Sequence, residues 1–482
     1  MKSPATQRVW PQWFLLWLAL LLRVYHLDTQ SIWFDEAARL LMARGSLSEV
    51  WTNAGGDTLP PFYHLLLYGW QQLGWQDFWV RLPSVWCGIL LVAVVFRLAA
   101  SLFDKRTGYF AALFAAFFPY LIYHSQQANL YSMLALLAGL QILFFYKAIK
   151  HNRLGAWIGY GIFALLGWYT HYFAAFVTLA LHIYWLWVER RYLLRLFVVD
   201  GIVVFAFSAT GCAFFVRYAS RIRWFWLTKP MILIPLMTLY RYTLSYSLPG
   251  GVIPFAMFVT ISWLFLGMLV LIYAIRQKRQ YYTPVLLLLL LIFVPIGVVW
   301  IISQWVPLYL DRSLLVTIPA YLVLLARFVT IAPRRSPVFF VTIVVLLLAG
   351  YSLWDYYSEA YAQSGYRQTA VFVASQLQPG DVVVHSGNGS YIPFLLYLPP
   401  QDHYLLAGDP KPLHPSQLYE IAGGRLVTPE ELSDYQRIWL VVALDHSVDY
   451  QKEVAAEFED HYMRLSEKRI QGLVVRLYQA KE

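Results

Sequence analysis

The sequence predicts an α-helical polytopic membrane protein with a small external α/β domain at its C-terminus. Three observations predict it. The 482 residues are 59% hydrophobic and only 13% charged, whereas a soluble domain is about 25% charged. Apolar runs of about 20 residues, the length that crosses the hydrocarbon core, recur along most of the chain. Clusters of Lys and Arg fall on alternate connections between these runs, which is how cytoplasmic loops are marked.

In chain order, the apolar runs place spanning helices near 11–27, 82–103, 107–123, 130–148, 155–170, 173–188, 196–216, 252–275, 282–302, 313–331 and 337–354, about eleven in all. One set of connections holds Lys2/Arg8, Lys105/Arg106, Lys147/Lys150/Arg153, Arg190/Arg191/Arg195, Arg276/Lys278/Arg279 and Arg334/Arg335. The N-terminus is therefore expected inside and the C-terminus outside. Segments 28–80, 124–129, 171–172, 217–251, 303–312 and 355–482 would face outward. No A-x-A-like site follows the first run, which reads as an uncleaved helix rather than a signal peptide. Residues 1–354 form the expected transmembrane domain and 355–482 the external one.

Other features fit this frame. Aromatics at 18% suit interfacial belts and aromatic-lined cavities. The flanking basic clusters explain the net charge of +10, so nucleic acid is not an expected partner. Cys87 and Cys212 both lie in apolar runs, which supports neither a disulfide framework nor a Cys-based metal site. Within 28–80, Leu40 to Val50 and Phe62 to Leu73 have helical spacing but are too short to span, so they read as interfacial helices. Pro60-Pro61 sets the direction of the second. In the tail, Asp381 to His385 and Ile438 to Leu444 read as buried strands, and Ser364 to Gln376 and Val448 to Arg464 as helices. Gly387-Asn388-Gly389 is only a fragment of a phosphate-binding fingerprint.

Five polar clusters fall on the expected outer side. In Ser31-Ile32-Trp33-Phe34-Asp35-Glu36-Ala37, the two carboxylates fit either the first turn of a helix or a general base and cation site. Asp57-Thr58-Leu59-Pro60-Pro61-Phe62-Tyr63-His64 fits a turn before an interfacial helix, or a cavity rim holding Asp57, Tyr63 and His64. Tyr123-His124-Ser125-Gln126-Gln127-Ala128-Asn129 ends the third helix, and Tyr169-Thr170-His171-Tyr172 ends the fifth. In Tyr309-Leu310-Asp311-Arg312-Ser313, the Asp-Arg neighbours either satisfy each other or leave Arg312 to bind an anionic headgroup. The loop 217–251, with Arg217, Arg221, Arg223, Lys229 and Arg241, is a solvated loop or a phosphate-binding surface. Chance could place one or two such clusters on one face; five favour a shared cavity. Mid-helix charge looks sparse apart from Arg97, unlike a transporter with ionisable groups near the midplane.

These residues also carry a resemblance. Ser31 to Ala37 looks like the first-loop acidic motif, and Asp57-Thr-Leu-Pro-Pro-Phe-Tyr63 the D-T-x-P-P-x-Y segment, of the GT-C class of polytopic glycosyltransferases. Tyr169-Thr-His171-Tyr172 and Tyr309-Leu-Asp-Arg312-Ser-Leu-Leu315 also fit. The chain resembles the bacterial relatives of protein O-mannosyltransferases and of the lipid A aminoarabinose transferase. The likeness runs through most of the membrane part and covers the tail loosely. It implies transfer of a sugar, with inversion, from a polyprenyl-phosphate donor to a hydroxyl of a lipid, glycan or protein acceptor. The site would face the exterior of a bacterial inner membrane, among its lipids. Asp35 is the implied base and Glu36 its helper. Asp57, Tyr63, His64, Tyr123, Gln127, His171, Tyr172, Arg241 and Arg312 are the implied substrate contacts. Glu36, Asp57 and His171 are candidates to hold a divalent cation, although their spacing names no metal. The rival readings are a transporter or flippase of lipid-linked substrates and an inactive scaffold on the same fold. One departure stands out: relatives carry S-Q-E-A-R where this chain has Ser125-Gln126-Gln127-Ala128-Asn129. Both the acid and the base are replaced, through a lost salt bridge with retained geometry, altered substrate choice or weak activity.

Overall fold

The computed structural model describes residues 10–54, 59–188, 190–221, 227–358, 365–398, 403–406, 425–443 and 448–481. In chain order the helices are α1 (Trp10–Val24), α2 (Phe34–Met42), α3 (Leu47–Ala54), α4 (Phe62–Gln71), α5 (Asp77–Leu102), α6 (Lys105–Phe117), α7 (Pro119–Ser125), α8 (Tyr131–His151), α9 (Leu154–Trp168) and α10 (Ala174–Val188). There follow α11 (Leu193–Arg221), α12 (Ile234–Leu244), α13 (Ile253–Gln277), α14 (Tyr282–Ile302), α15 (Ile318–Ile331), α16 (Pro337–Tyr357) and α17 (Tyr366–Ala374). The remainder is β1 (Val382–His385), α18 (Asn388–Tyr397), β2 (His403–Leu406), β3 (Arg425–Val427), β4 (Arg437–Ala443), α19 (Val448–His461), β5 (Tyr462–Ile470) and β6 (Leu473–Ala480).

The chain divides into two compact units. One holds residues 1–25, 58–63 and 81–358, and the other 26–57, 64–80 and 359–482. Most of the 28–80 segment, expected with the transmembrane domain, thus groups with the C-terminal residues.

In the helical unit, each of the expected apolar stretches is helical. Among the described residues, seven helices are long and apolar enough to cross a membrane, and three shorter apolar ones cover Pro11–Val24, Leu154–Trp168 and Ala174–Val188. The stretch 107–123 is broken. α6 ends at Phe117, Phe118 turns to extended backbone (ψ 127°), and α7 begins on Pro119. A proline has no N–H to continue the ladder, and its ring crowds the preceding turn. The break leaves carbonyls without donors, and Arg23 supplies them. This arginine is 0% exposed. It donates to Ala115 O at 2.8 Å and Ala116 O at 3.1 Å, and its Nε donates to Ser125 Oγ at 3.1 Å. Gln126 Nε2 returns bonds to the carbonyls of Arg23 and Tyr25 at 3.0 and 2.7 Å. Gly88 of α5 makes room for this lock: a Cβ there would lie 2.2 Å from Ser125 Oγ and 2.7 Å from Arg23 Nε.

Charge inside the helical unit is less sparse than the sequence suggests. His182 Nε2 lies 2.7 Å from an Asp200 carboxylate oxygen, and Tyr160 donates to the other at 2.8 Å. Arg327 pairs with Asp104 at 3.0 Å, with the rings of Tyr281 and Phe103 at 4.4 and 4.8 Å from its guanidinium carbon. Each charge is matched by a group from another element, which makes it tolerable in an apolar setting. A scan along the chain does not reveal such partners.

The second unit is built on a six-stranded sheet of order β3-β2-β1-β4-β6-β5. The first four strands are mutually parallel, and β6 and β5 close the sheet antiparallel. Alternation on β4 divides the core. Ile438, Leu440 and Val442 face Val454 and Phe458 of α19. Trp439 and Val441 face Tyr366, Ala370 and Val373 of α17, Phe394 of α18, and Trp33. Both faces of a mostly parallel sheet are covered, as its apolar strands require. The helix expected to run to Arg464 stops at His461, and a hairpin follows. Its two-residue loop, Gln471-Gly472, has φ of 34° and 80°, the double positive φ that matches strand twist in a tight hairpin.

Candidate active site

The acidic stretch lies in the second unit. Trp33 precedes α2, and Asp35 and Glu36 occupy its first turn. The local reason is the one the sequence offers: carboxylates at a helix start meet unsatisfied N–H groups. Glu36 is fully buried, and its carboxylate accepts the Trp33 N–H at 3.3 Å. It therefore works as a cap, while the half-buried Asp35 is the more accessible of the two. Arg39, one turn on, donates to the Asp35 carbonyl at 2.8 Å.

The basic cluster lies in the helical unit and centres on Asp311. One carboxylate oxygen accepts from Arg241 at 3.1 Å and from Tyr246 OH at 2.6 Å. The other accepts the Arg312 backbone N–H at 2.9 Å. The Asp311–Arg312 neighbours are thus not a self-contained ion pair, because the carboxylate is taken up by Arg241. Asp311 is 6% exposed at its side chain, while Arg241 is 35% exposed. Arg241 also lies over the Tyr246 ring at 5.2 Å, and Arg312 over Tyr131 at 5.4 Å. Burial works against the Arg241 charge, but Asp311 beside it and then Tyr246 push the guanidinium above its ordinary value. Burial and the Asp311 charge together raise the Tyr246 phenol well above its usual range, which keeps it a donor. The result is a permanent guanidinium held in one orientation by a carboxylate below it.

α7 supplies the aromatic side of this cluster. Tyr246 OH also reaches Tyr120 OH at 3.4 Å. Tyr123 packs edge-on to Tyr246 and Tyr356, and the His124 ring sits among Tyr120, Tyr123 and Tyr131. Neither ring nitrogen of the buried His124 has a hydrogen-bond partner among the described residues. Gln127 is buried with its amide nitrogen likewise unpartnered, and so is the Asn129 amide nitrogen. The amides that stand in place of the acid and the base therefore leave donors in the α7–α8 turn. The turn itself is fixed by Ser84 Oγ, which donates to Asn129 O at 2.9 Å and meets Tyr63 OH at 3.2 Å. Tyr63 is buried at this contact, and its hydroxyl ties the Pro-Pro segment to the α7–α8 turn.

The other expected residues lie elsewhere. His171 is buried in the α9–α10 turn, accepting the Phe173 N–H at 3.1 Å on Nδ1, and Tyr172 stands edge-on to Phe215. His64, also buried, belongs to the second unit. Asp57 is outside the described residues, as are the side chains of Arg217, Arg221 and Arg223 in the basic loop. Among the described residues no group of three or more His, Cys, Asp or Glu could hold a metal ion. The structure therefore unites Tyr123, Arg241 and Arg312, and it adds Asp311, Tyr246, Tyr120 and His124. The sequence placed His124 and Asp311 in its polar clusters without giving them a role, and Tyr120 and Tyr246 lay outside those clusters. Asp311 was hidden by its neighbour Arg312, the obvious partner on paper.

Residues 58–210 match the dolichyl-phosphate-mannose-protein mannosyltransferase family. No curated protein matches the chain in sequence. Among solved structures, the chain is similar to ArnT from Cupriavidus metallidurans in the apo state. The match has 15% identity and a TM-score of 0.63, over 97% of each chain. It is similar to the same protein bound to undecaprenyl phosphate at 14% identity and a TM-score of 0.61, over 98% of each chain. An Archaeoglobus fulgidus oligosaccharyltransferase tethered with an acceptor peptide matches at 12% identity and a TM-score of 0.52, over 99% of this chain and 74% of that one. The GT-C resemblance carried by the motifs thus holds at the level of fold, that of a multi-pass membrane protein similar to ArnT.

Proposed function

We propose that the chain is a membrane glycosyltransferase that moves a sugar from a polyprenyl-phosphate donor to an acceptor hydroxyl on the exterior face of a bacterial inner membrane. The observation that carries this reading is the Asp311-centred cluster. A buried carboxylate and a phenol hold Arg241 in place, with Arg312 beside it, and a leaving phosphate needs such preorganised positive charge. The fold likeness to a protein solved with undecaprenyl phosphate supports the same ligand class.

In the proposed reaction, Asp35 takes the proton of the acceptor hydroxyl. The freed oxygen bonds to the anomeric carbon as the bond from that carbon to the phosphate oxygen breaks. Displacement from the opposite face inverts the centre. The electron pair leaves with the phosphate, whose added charge is met by Arg241 and Arg312. Glu36 supports Asp35 by fixing the start of α2. Tyr123 and Gln127 contact substrate from α7 and its following turn. Tyr63 acts through the turn it holds.

The test uses membranes containing the wild type or Asp35→Asn with a panel of undecaprenyl-phosphate sugars. Transfer should fall by about 10²- to 10⁴-fold, the range for loss of a general base. Undiminished transfer by the variant would remove Asp35 from this role. If the wild type in vesicles moves a labelled undecaprenyl phosphate across the bilayer without consuming any donor sugar, the flippase reading replaces this one.

A further inference from the structure

The acidic stretch is held from an unexpected direction, by side chains more than 300 residues away in sequence. Segment 28–32, immediately before Trp33, is gripped by α17 and α18. Arg367 of α17 donates through Nη2 to the carbonyls of Asp28 and Thr29, at 2.8 and 3.2 Å. Its backbone N–H donates to Ser31 Oγ at 3.1 Å, and Ser31 passes its own proton to Gln368 Oε1 at 2.9 Å. Tyr397 at the end of α18 accepts the Ile32 N–H at 2.7 Å. The Tyr397 hydroxyl donates in turn to Asp77 Oδ2 at 2.7 Å, and the same oxygen pairs with Arg367 Nη1 at 3.2 Å. Every link is therefore closed: one carboxylate joins the tyrosine and the arginine, and these two hold the segment at four points, Asp28, Thr29, Ser31 and Ile32. Ser31 and Ile32 are buried at these contacts, and Trp33 packs on the apolar face formed by Trp439, Val441 and α17. At the next residue, Phe34, α2 begins, and it presents Asp35 in its first turn.

We propose that Arg367, Tyr397 and Asp77 are positioning residues for Asp35, and that this is the working role of the C-terminal α/β unit. The inference rests on the reading of Asp35 as the base. An extended segment has many directions open to it. Bonds at four points within five residues leave one, so α2 leaves the loop along a fixed axis. The sheet supplies the rigidity: α17 and α18 are both seated on its Trp439 face, which a free loop could not match. A displacement of about 1 Å at a reacting group can cost about a hundredfold in rate, so a loosened clamp should show in turnover before it shows in binding. The arrangement also explains why the first-loop motif begins with Ser31. Its hydroxyl is both the acceptor for Arg367 and the donor to Gln368.

The experiment compares Arg367→Met, Tyr397→Phe and Arg367→Lys in the full chain, with Val371→Ser on the exposed face of α17 as a control. The first readout is steady-state transfer with whichever undecaprenyl-phosphate sugar the wild type consumes. The second is hydrogen exchange of the 31–37 amides, which needs no substrate. Arg367→Met and Tyr397→Phe should lower kcat by about ten- to a hundredfold, leave the donor KM within about threefold, and speed exchange at 31–37 while the β1 and β4 amides stay protected. Arg367→Lys should recover part of kcat, because it keeps the charge toward Asp77 but loses the fork. Unchanged exchange in both variants overturns the clamp, whatever the activity. So does a loss of kcat that tracks a general loss of β1 and β4 protection. Faster exchange with full turnover overturns its role in catalysis. Undiminished transfer by Asp35→Asn would instead remove the base assignment, and the exchange arm would still decide whether the clamp exists.

Discussion

Among the described residues, two Asp–Arg pairs of the helical unit have nearly equal length, and they are built inside out relative to each other. In the Asp311–Arg241 pair, at 3.1 Å, the acid is buried (6% exposed) and the arginine open (35%). In the Asp104–Arg327 pair, at 3.0 Å, the arginine is buried (5%) and the acid open (49%). Asp311 precedes α15 and Arg327 lies toward its other end, so the two pairs serve different ends of one helix. At the Asp104 end the cation is used up. It sits between Tyr281 and Phe103, and Asp104 also caps α6 through the Thr107 N–H at 2.8 Å. At the Asp311 end the cation is presented, and the carboxylate beneath it fixes its direction. Pair geometry alone is thus a poor guide to role. Which partner faces outward separates a staple from a binding group, because an exposed guanidinium can exchange solvent for an anion and a buried one cannot.

The largest expected effect comes from reversing that presentation. Asp311→Asn should leave the fold intact but release Arg241 and Tyr246, lowering transfer by about a hundredfold in a donor-consumption assay. A loss below about threefold would mean the Asp311 end is only a staple as well. Next comes Arg23→Met. Arg23 lies near the Asp311 end yet is buried like Arg327, so it should show both behaviours. Stranding the Ala115 and Ala116 carbonyls should destabilise the protein by about 1–3 kcal/mol, read as a lower thermal midpoint in detergent. The shift of α7 and its tyrosines should reduce transfer by about tenfold. Asp104→Asn should be smaller and of one kind only: about 1 kcal/mol of stability from weaker support of Arg327 and the α6 cap, with transfer unchanged. A large transfer defect there would collapse the distinction between the two pairs.

The smallest effect concerns a hydrogen-bonded pair whose partners cannot both carry charge. His385 and His403 stack in the second unit with Nε2 and Nδ1 3.1 Å apart. Burial and then the neighbouring His403 hold His385 well below its ordinary value of 6.5. The unfolded chain therefore binds a proton near pH 6.5 that the folded one refuses. Stability from this site is fully present above about pH 6.5 and is lost progressively as pH falls toward the lower folded value. Thermal unfolding of the wild type should drop by a few degrees on acidification from neutral pH, and His385→Phe should flatten that slope. An unchanged slope would show that the pair does not titrate in folding.

Much of the helical unit was legible because its signal is one-dimensional. Length and hydropathy mark a spanning stretch wherever it packs, and each apolar run located in the sequence is helical. The break at Pro119 was readable in principle, since proline ends the ladder at a known place, but an unbroken apolar run concealed it. The sheet was read in part. β1 and β4 carry the unbroken apolar runs 382–384 and 438–443, whereas β2 and β3 have only two or three apolar residues after a leading His or Arg and β5 is charged along an exposed edge, so these three do not stand out.

By itself the sequence determined the membrane character, the GT-C resemblance and the residues worth watching, because composition, run length and motif spacing are properties of the chain. It named Asp35, Arg241 and Arg312. Only the tertiary structure decided their partners. Asp311 bonds Arg241 across 70 residues rather than neutralising the side chain beside it, Glu36 became a cap, and Arg23 became the lock of a broken helix. Ser31, the first letter of the acidic motif, found its purpose against Arg367, 336 positions away. Partnership of this kind follows from burial, since a polar group removed from water gains by bonding what the fold brings within reach, and no local pattern records which group that will be.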